Sequence, residues 1–147
     1  MDIKGTRTEQ NLWNAFSGES MARNKYLFFA DKARQEGYAE VAELFERMAQ
    51  NEGVHGKLMY QRLCGIGSTA DNLQEAMTGE YGEWTKLYPG YAQTAREEGL
   101  DEIAVLFEQI SQIEKDHEFR FMSALAGSSA TIRQRSPNPC PRSRWSQ

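Results

Sequence analysis

Proline, cysteine and long apolar runs are scarce in this sequence. Three of the four prolines follow residue 136, and Pro89 is the only one before it, so most of the chain is free to form long helices. The two cysteines, Cys64 and Cys140, form no Cys-x-x-Cys pair and are too few for a disulfide scaffold. That usage favours a reducing compartment.

No apolar stretch approaches the length of about 20 residues that a membrane span needs. The start of the chain also lacks the apolar segment of a signal peptide. We therefore expect a cytoplasmic protein that does not contact membranes. The sequence contains no Ser-His-Asp arrangement, phosphate-binding loop or His-Glu-x-x-His motif, which removes three common classes of enzyme site.

The net charge of −4 is unevenly distributed. Residues 1–127 contain all 21 acids and 13 of the 17 bases, whereas residues 128–147 contain four arginines and no acid. An acidic body is a poor nucleic-acid binder. The length suits one domain, so we expect a folded domain over residues 1–127. The Pro- and Ser-rich residues 128–147 are expected to be a disordered tail.

Histidine is equally rare, and both histidines occupy the same motif. His55 follows Glu52 by three residues, and His117 follows Glu114 by three. On a helix this spacing places both side chains on one side. Each pair lies on an apolar stripe of helical period: Val41, Phe45, Met48, Glu52, His55 and Met59 in one, and Ile103, Phe107, Ile110, Glu114, His117, Phe121 and Leu125 in the other. A carboxylate on such a face needs compensation, and a metal ion would supply it.

The chain divides into four helical segments, so the predicted fold class is all-α. Caps and glycines place the segments at Thr8 to Gly37, Ala39 to Leu63, Thr69 to Gly99, and Asp101 to Ala126. Aromatic residues at helical spacing are predicted to form the core: Trp13, Phe16, Phe28, Phe29, Trp84 and Phe107.

The four segments are two copies of one helical hairpin. Residues from Thr8 to Glu19 recur 61 positions later, whereas residues from Tyr26 onward recur 62 positions later. One additional residue therefore lies between Glu80 and Tyr88. A single insertion within a helix is usually absorbed as a π-bulge, often at a functional site. Glu83 lies in this window.

Repeat-related acids complete a candidate metal site. Glu19 and Glu80 occupy equivalent positions, and together with the two Glu-x-x-His pairs they match the ligands of a dinuclear site in a four-helix bundle. Carboxylates with one imidazole per metal suit iron or manganese. Glu83 is a seventh candidate ligand, or alternatively an exposed acid.

Two tyrosines at equivalent positions could support that site. Tyr26 and Tyr88 lie about two helical turns beyond Glu19 and Glu80. Each could hydrogen-bond a ligand carboxylate and fix its orientation. The alternative is an amphipathic tyrosine with a buried ring.

The residues around the candidate ligands resemble those of the rubrerythrin family over residues 4–126. The motifs are Ala15-Phe16-Ser17-Gly18-Glu19-Ser20, Asn51-Glu52-Gly53-Val54-His55, Gly79-Glu80-Tyr81-Gly82-Glu83-Trp84, Leu87-Tyr88-Pro89 and Glu114-Lys115-Asp116-His117. The resemblance implies a ferritin-like four-helix domain that holds two iron ions and reduces hydrogen peroxide to water.

The resemblance also implies individual roles for the ligands. Glu52 and Glu114 would bridge the irons, Glu19 would bind one iron, and Glu80 with His117 would bind the other. In the family, the first iron exchanges a glutamate ligand for a histidine ligand as it is reduced. Glu83 and His55 match that glutamate and that histidine.

The sequence departs from the family pattern after the helical domain. Family members commonly continue into a rubredoxin-like domain with two Cys-x-x-Cys pairs, which this sequence lacks. Electrons are therefore expected from another protein, such as a rubredoxin or a flavoprotein reductase. The alternatives are a ferroxidase of the ferritin-like class that uses O₂, a manganese or mixed-metal site, and a metal-free structural bundle.

The link between the hairpins predicts a dimer. In a ferritin-like bundle the second and third helices run in the same direction, so the helix ends at Cys64 and Asp71 would lie roughly 30 Å apart. Residues 65–70 reach only about 20–25 Å when extended. We therefore expect each four-helix site to take one hairpin from each of two chains, as in an exchanged homodimer.

Overall fold

The computed structural model describes residues 3–127 of the chain. These residues form five α-helices and one π-helix: α1 (Arg7–Gln35), α2 (Ala39–Leu63), α3 (Thr69–Gly82), the π-helix (Glu83–Leu87), α4 (Tyr88–Glu97) and α5 (Asp101–Gly127). No strand occurs in this part of the chain, which confirms the all-α prediction. No helix in the same range is long and apolar enough to cross a membrane.

The start of α1 differs from the sequence prediction. Thr6, and not Thr8, caps the helix, and its hydroxyl accepts the N–H of Glu9 at 3.1 Å. The carboxylate of Glu9 in turn accepts the N–H of Gly5 at 2.6 Å. This reciprocal pair satisfies donors that a helix start leaves without partners, which Thr8 inside the first turn cannot do.

The described residues fall into two compact units that divide between Ile66 and Gly67. In the first hairpin, α1 packs against α2; in the second hairpin, α3, the π-helix and α4 pack against α5. Each hairpin turns at a glycine with positive φ, at 84° in Gly37 and 76° in Gly99. A left-handed conformation after a helix end is characteristic of glycine. The turns are therefore equivalent, as the sequence repeat predicts.

Small residues form the seam of each hairpin. The buried clusters are Ala30, Ala33 and Ala42 in the first hairpin, with Phe45 packed on them, and Ala92, Ala95 and Ala104 in the second, with Phe107. Phe28 and Phe29, predicted as core residues, lie outside this seam and are 66% and 43% exposed, although the ring of Phe29 contacts that of Phe45. A pair of helices buries one narrow seam, and side chains on either side of it remain accessible.

Side-chain contacts repeat with the same period. Tyr26 lies 6.1 Å from Phe45 between ring centroids, and Tyr88 lies 6.1 Å from Phe107. Surface ion pairs recur in the same way, joining Arg34 to Glu46 at 2.5 Å and Arg96 to Glu108 at 2.7 Å. The duplication inferred from the sequence thus extends to three-dimensional contacts.

The π-helix is where the two hairpins differ. It covers Glu83–Leu87, inside the window where the sequence places one additional residue, and the N–H of Tyr88 donates to the carbonyl of Glu83. The predicted bulge is confirmed. The assignment of residues 1–127 to one domain stays a prediction, and the predicted tail at 128–147 lies outside the described residues.

Candidate metal centre

Each hairpin brings together two carboxylates and one imidazole. The first ligand group contains Glu19, Glu52 and His55, and the second ligand group contains Glu80, Glu114 and His117. Within each group, one ligand atom from each side chain lies within 4.8 Å of the others. All six residues were predicted as ligands from the sequence, and the structure assembles them three and three.

The first ligand group joins α1 to α2. Nδ1 of His55 lies 2.9 Å from Oε2 of Glu52 and 3.8 Å from Oε1 of Glu19. The side chain of His55 is 52% exposed, whereas that of Glu52 is 19% exposed. The carboxylates therefore lie deeper than the imidazole, and the imidazole presents Nδ1 to them.

The second ligand group repeats this geometry between α3 and α5. Nδ1 of His117 lies 2.6 Å from Oε2 of Glu114 and 3.8 Å from Oε2 of Glu80. The burial order is the same, because Glu114 is 16% exposed and His117 is 43% exposed. In both groups the carboxylate oxygens and a ring nitrogen face one point.

The carboxylates within each group disfavour one another's ionisation. Burial, a hydrogen bond to Glu114 and the negative charges of Glu114 and Glu83 raise the pKa of Glu80 to about 7. In the first ligand group, a hydrogen bond to Glu52 is the main cause that raises the pKa of Glu19. A cation among these oxygens would replace the repulsion by attraction.

Glu83 stands apart from the second ligand group but belongs to the same environment. It is on the π-helix and is not among the three side chains whose ligand atoms converge. Burial raises the pKa of the Glu83 carboxyl, and the negative charge of nearby Glu114 raises it further. Without a bulge in α1, the first hairpin has no equivalent of Glu83.

The two predicted supporting tyrosines differ in their surroundings. Burial, followed by the charges of Glu83 and Glu114, raises the pKa of Tyr88. Tyr26 packs its ring on Phe29 and Phe45. Across residues 3–127 neither hydroxyl bonds a ligand carboxylate, so that role stays a prediction.

Sequence reasoning missed the residues that hold the π-helix against α5. The indole Nε1 of Trp84 donates to Glu118 at 2.6 Å, and Nζ of Lys115 lies 5.1 Å from the centre of the Trp84 ring. The hydroxyl of Ser111 donates to the carbonyl of Trp84 at 3.1 Å. A signal was present, because each of these positions of α5 has a polar residue where the first repeat has alanine or glycine.

The donor set fits the metals expected from the sequence. Carboxylate oxygens with one imidazole in each group suit iron and manganese, whereas thiolate-preferring sites would need cysteine. An all-α fold that presents carboxylate and imidazole ligands from paired helices defines the class of ferritin-like metal-binding proteins.

Comparison with known proteins identifies the family within this class. The rubrerythrin family model matches residues 10–125. The chain belongs to the rubrerythrin family. This membership confirms the resemblance drawn from the sequence motifs and implies iron as the metal.

Curated relatives agree with this assignment. The chain is 46% identical over 137 residues to a rubrerythrin of Porphyromonas gingivalis, covering 84% of this chain and 68% of the relative. It is 38% identical over 133 residues to a rubrerythrin of Nitratidesulfovibrio vulgaris, covering 82% and 70%. Nigerythrin from the same organism is 30% identical over 131 residues, covering 80% and 65%.

Proposed function

We propose that this protein is a non-haem di-iron peroxidase that reduces hydrogen peroxide to water with electrons from an external donor. In the overall reaction, one peroxide takes up two electrons and two protons and yields two waters. The donor would be a rubredoxin or a flavoprotein reductase, and the expected setting is oxidative-stress defence in the cytoplasm.

The observation that carries the proposal is the asymmetry between two otherwise repeated ligand groups. Each hairpin supplies two carboxylates and one imidazole, and the second hairpin alone adds Glu83 on a π-helix. Because the Glu83 carboxylate lies outside the three converging side chains, it suits a ligand that binds iron in one oxidation state only. Another side chain would replace it in the other oxidation state. His55, half exposed at the rim of the first ligand group, is the proposed replacement.

The iron pair, when bound, would supply the two electrons that peroxide needs. The chain's own residues would hold and orient the reactants. Glu52 and Glu114, the more buried carboxylates of their groups, are the proposed bridges. Glu19 would bind one metal, and Glu80 with His117 the other. The hydroxyl of Tyr88, placed near Glu83 and Glu114, is a proposed hydrogen-bond donor to a ligand carboxylate, with Tyr26 as its repeat counterpart.

The test compares two oxidants on anaerobically reduced, iron-loaded protein in a stopped-flow instrument. We expect fast oxidation by peroxide and slow oxidation by O₂. Glu83→Gln should slow the peroxide reaction, whereas Glu102→Gln, an exposed acid of α5, should leave it unchanged. Faster oxidation by O₂ than by peroxide would reject the peroxidase assignment.

The second candidate is a ferroxidase or iron-binding protein of the ferritin-like class that uses O₂. The repeated groups of carboxylates and imidazole support it equally, because they account for iron binding but not for the choice of oxidant. Manganese in place of iron fits the same ligands. The stopped-flow comparison separates the two iron chemistries, and metal analysis of protein purified without added metal separates iron from manganese.

We also propose that the working form is a homodimer in which each site combines the first hairpin of one chain with the second hairpin of its partner. Helix α2 ends 11 residues after Glu52, and α3 begins 11 residues before Glu80. In a ferritin-like bundle these ends would lie about 33 Å apart. The chain from Leu63 to Thr69 spans at most about 22 Å.

Each hairpin has exposed apolar residues that a second hairpin would cover. Met21, Phe28, Val54 and Leu58 are each more than half exposed in the first hairpin, as is Ile113 in the second. Apolar surface of this extent is typical of an interface. Light scattering on the metal-loaded protein should give the mass of a dimer, and a monomeric mass with full metal content would reject the exchange.

A further inference from the structure

The carbonyl of Trp84 receives no hydrogen bond from its own helix. In an α-helix it would accept the N–H of Tyr88, but that N–H donates to Glu83 in the π-helix. The next residue is Pro89, which has no N–H. Ser111 supplies the donor instead, since its buried hydroxyl lies 3.1 Å from this carbonyl. The contact therefore satisfies a group that the bulge leaves without a partner.

Two further contacts join Trp84 to α5. Trp84 donates its indole N–H to Glu118, and Lys115 lies over the ring. The three partners follow one another at helical spacing along α5 and so lie on one face of that helix. The π-helix is thus held through both the backbone and the side chain of Trp84.

The first hairpin provides the comparison, because α1 there is a continuous α-helix. The positions equivalent to Ser111, Lys115 and Glu118 are Ala49, Gly53 and Gly56, where a hydroxyl, an amine and a carboxylate are all absent. A Cβ at Gly56 would lie 3.7 Å from Phe16, and one at Gly53 would lie 3.3 Å from Arg23. The small residues match a helix that packs closely without a bulge.

We propose that Ser111 is a positioning residue for Glu83. By donating to Trp84, it holds the π-register of residues Glu83–Leu87 and so directs the Glu83 carboxylate towards the metal site. Glu118 and Lys115 reinforce the same register. The effect on metal binding rests on the proposed metal site, whereas the role of Ser111 in the bulge rests on its hydrogen bond to the carbonyl of Trp84.

The first experiment measures the affinity of the full chain, stripped of metal, for Ga(III), a redox-inert trivalent ion that stands in for the ferric state in which Glu83 is the proposed ligand. Ser111→Ala introduces the residue that the first hairpin has at Ala49 and should weaken binding about 10-fold, as loss of an indirect ligand partner does. Ser111→Cys, of similar size but a weaker donor, should fall between Ser111→Ala and the native chain. Thr94→Ala, which removes a hydroxyl bond to the carbonyl of Gly90 in α4, should bind as the native chain does. Unchanged affinity in Ser111→Ala would overturn the proposal.

A double-mutant cycle distinguishes positioning from general destabilisation. If Ser111 acts through Glu83, then Ser111→Ala should have no further effect on Ga(III) affinity once Glu83→Gln is present. Additive losses would mean that Ser111 acts elsewhere, and the proposal would fail.

Backbone hydrogen exchange provides a test that needs no metal. In Ser111→Ala the amides of Glu83–Tyr88 should exchange about 10-fold faster, equivalent to the loss of one hydrogen bond, while those of α2 keep their rates. Unaltered exchange would overturn the role of Ser111 in the bulge. Native protein that binds no Ga(III) would instead refute the proposed metal function, and the exchange result would still decide the role of Ser111 in the bulge.

Discussion

Nδ1 of His117 lies 2.6 Å from Oε2 of Glu114 on the same helix. The pair is repeated 62 residues earlier, where Nδ1 of His55 lies 2.9 Å from Oε2 of Glu52. Because residues three apart on a helix are neighbours, this contact needs nothing beyond α2 or α5 itself. Each hairpin therefore places an imidazole nitrogen beside a carboxylate oxygen within a single helix.

The two histidines should nevertheless differ in their effect on iron binding. His117→Gln removes a proposed permanent ligand and should weaken both ferrous and ferric binding by at least about 10-fold, the loss caused even by indirect partners of a ligand. His55→Gln should weaken ferrous binding alone, because Glu83 is the proposed ligand in the oxidised state. Anaerobic titration of each variant measures this, and equal losses in both states for His55→Gln would contradict the ligand exchange.

The metal-free protein should become less stable as the pH rises. The pKa of Glu80 is about 7 in the fold and near its ordinary value in the unfolded chain. Between these values the folded state binds more protons, so the free energy of unfolding falls with rising pH. The urea concentration at the unfolding midpoint should therefore decrease as the pH rises from 5 to 8.

Glu80→Gln should flatten this pH dependence, and Glu102→Gln should preserve it. Bound metal should reverse the trend, because the ligands must be deprotonated to bind. If the free energy of unfolding of Glu80→Gln depends on pH as steeply as that of the native chain, then Glu80 does not cause the pH dependence.

The alanine seam should matter more to stability than the repeated surface ion pairs. Ala104 is fully buried, and Ala104→Leu should cost about 1–3 kcal/mol by overpacking. Arg96 and Glu108 are about half exposed, so Arg96→Met should cost no more than about 1 kcal/mol. Urea denaturation measures both, and a larger loss for Arg96→Met would contradict the assignment of the seam as the main contact.

Complementation between damaged chains tests the exchanged dimer. One chain carries Glu52→Ala and His55→Ala, and the other carries Glu114→Ala and His117→Ala. Neither alone has a complete ligand set. In an exchanged dimer of the two, one site receives both undamaged hairpins and should bind metal with native affinity. If each site came from a single chain, the mixed dimer would bind no better than either parent.

Much of the candidate site could be predicted from the sequence because helical spacing and duplication constrain it twice. The repeat fixed Glu19 and Glu80 as equivalents, and the change of offset predicted the π-helix and singled out Glu83. The structure brings these six residues together as two groups of three, one in each hairpin. That both groups form one dinuclear site stays a prediction.

Other features depend on contacts that periodicity does not encode. The choice of Thr6 over Thr8 as a cap depends on the local turn and on Glu9. The exposure of Phe28 follows from how narrow a two-helix seam is. Ser111 could have been found by asking why it replaces Ala49, but its role became evident only from its hydrogen bond to the carbonyl of Trp84.

The extra length of the second hairpin also has a genetic consequence. Six residues separate Glu19 from Tyr26, and seven separate Glu80 from Tyr88. If recombination copied the first segment over the second, the product would be one codon shorter and would lose the bulge and Glu83 in a single event. The segments that carry the alanine seams, residues 30–42 and 92–104, have the same length, so exchange between them would keep the chain length. Exchange across the bulge would remove a candidate ligand.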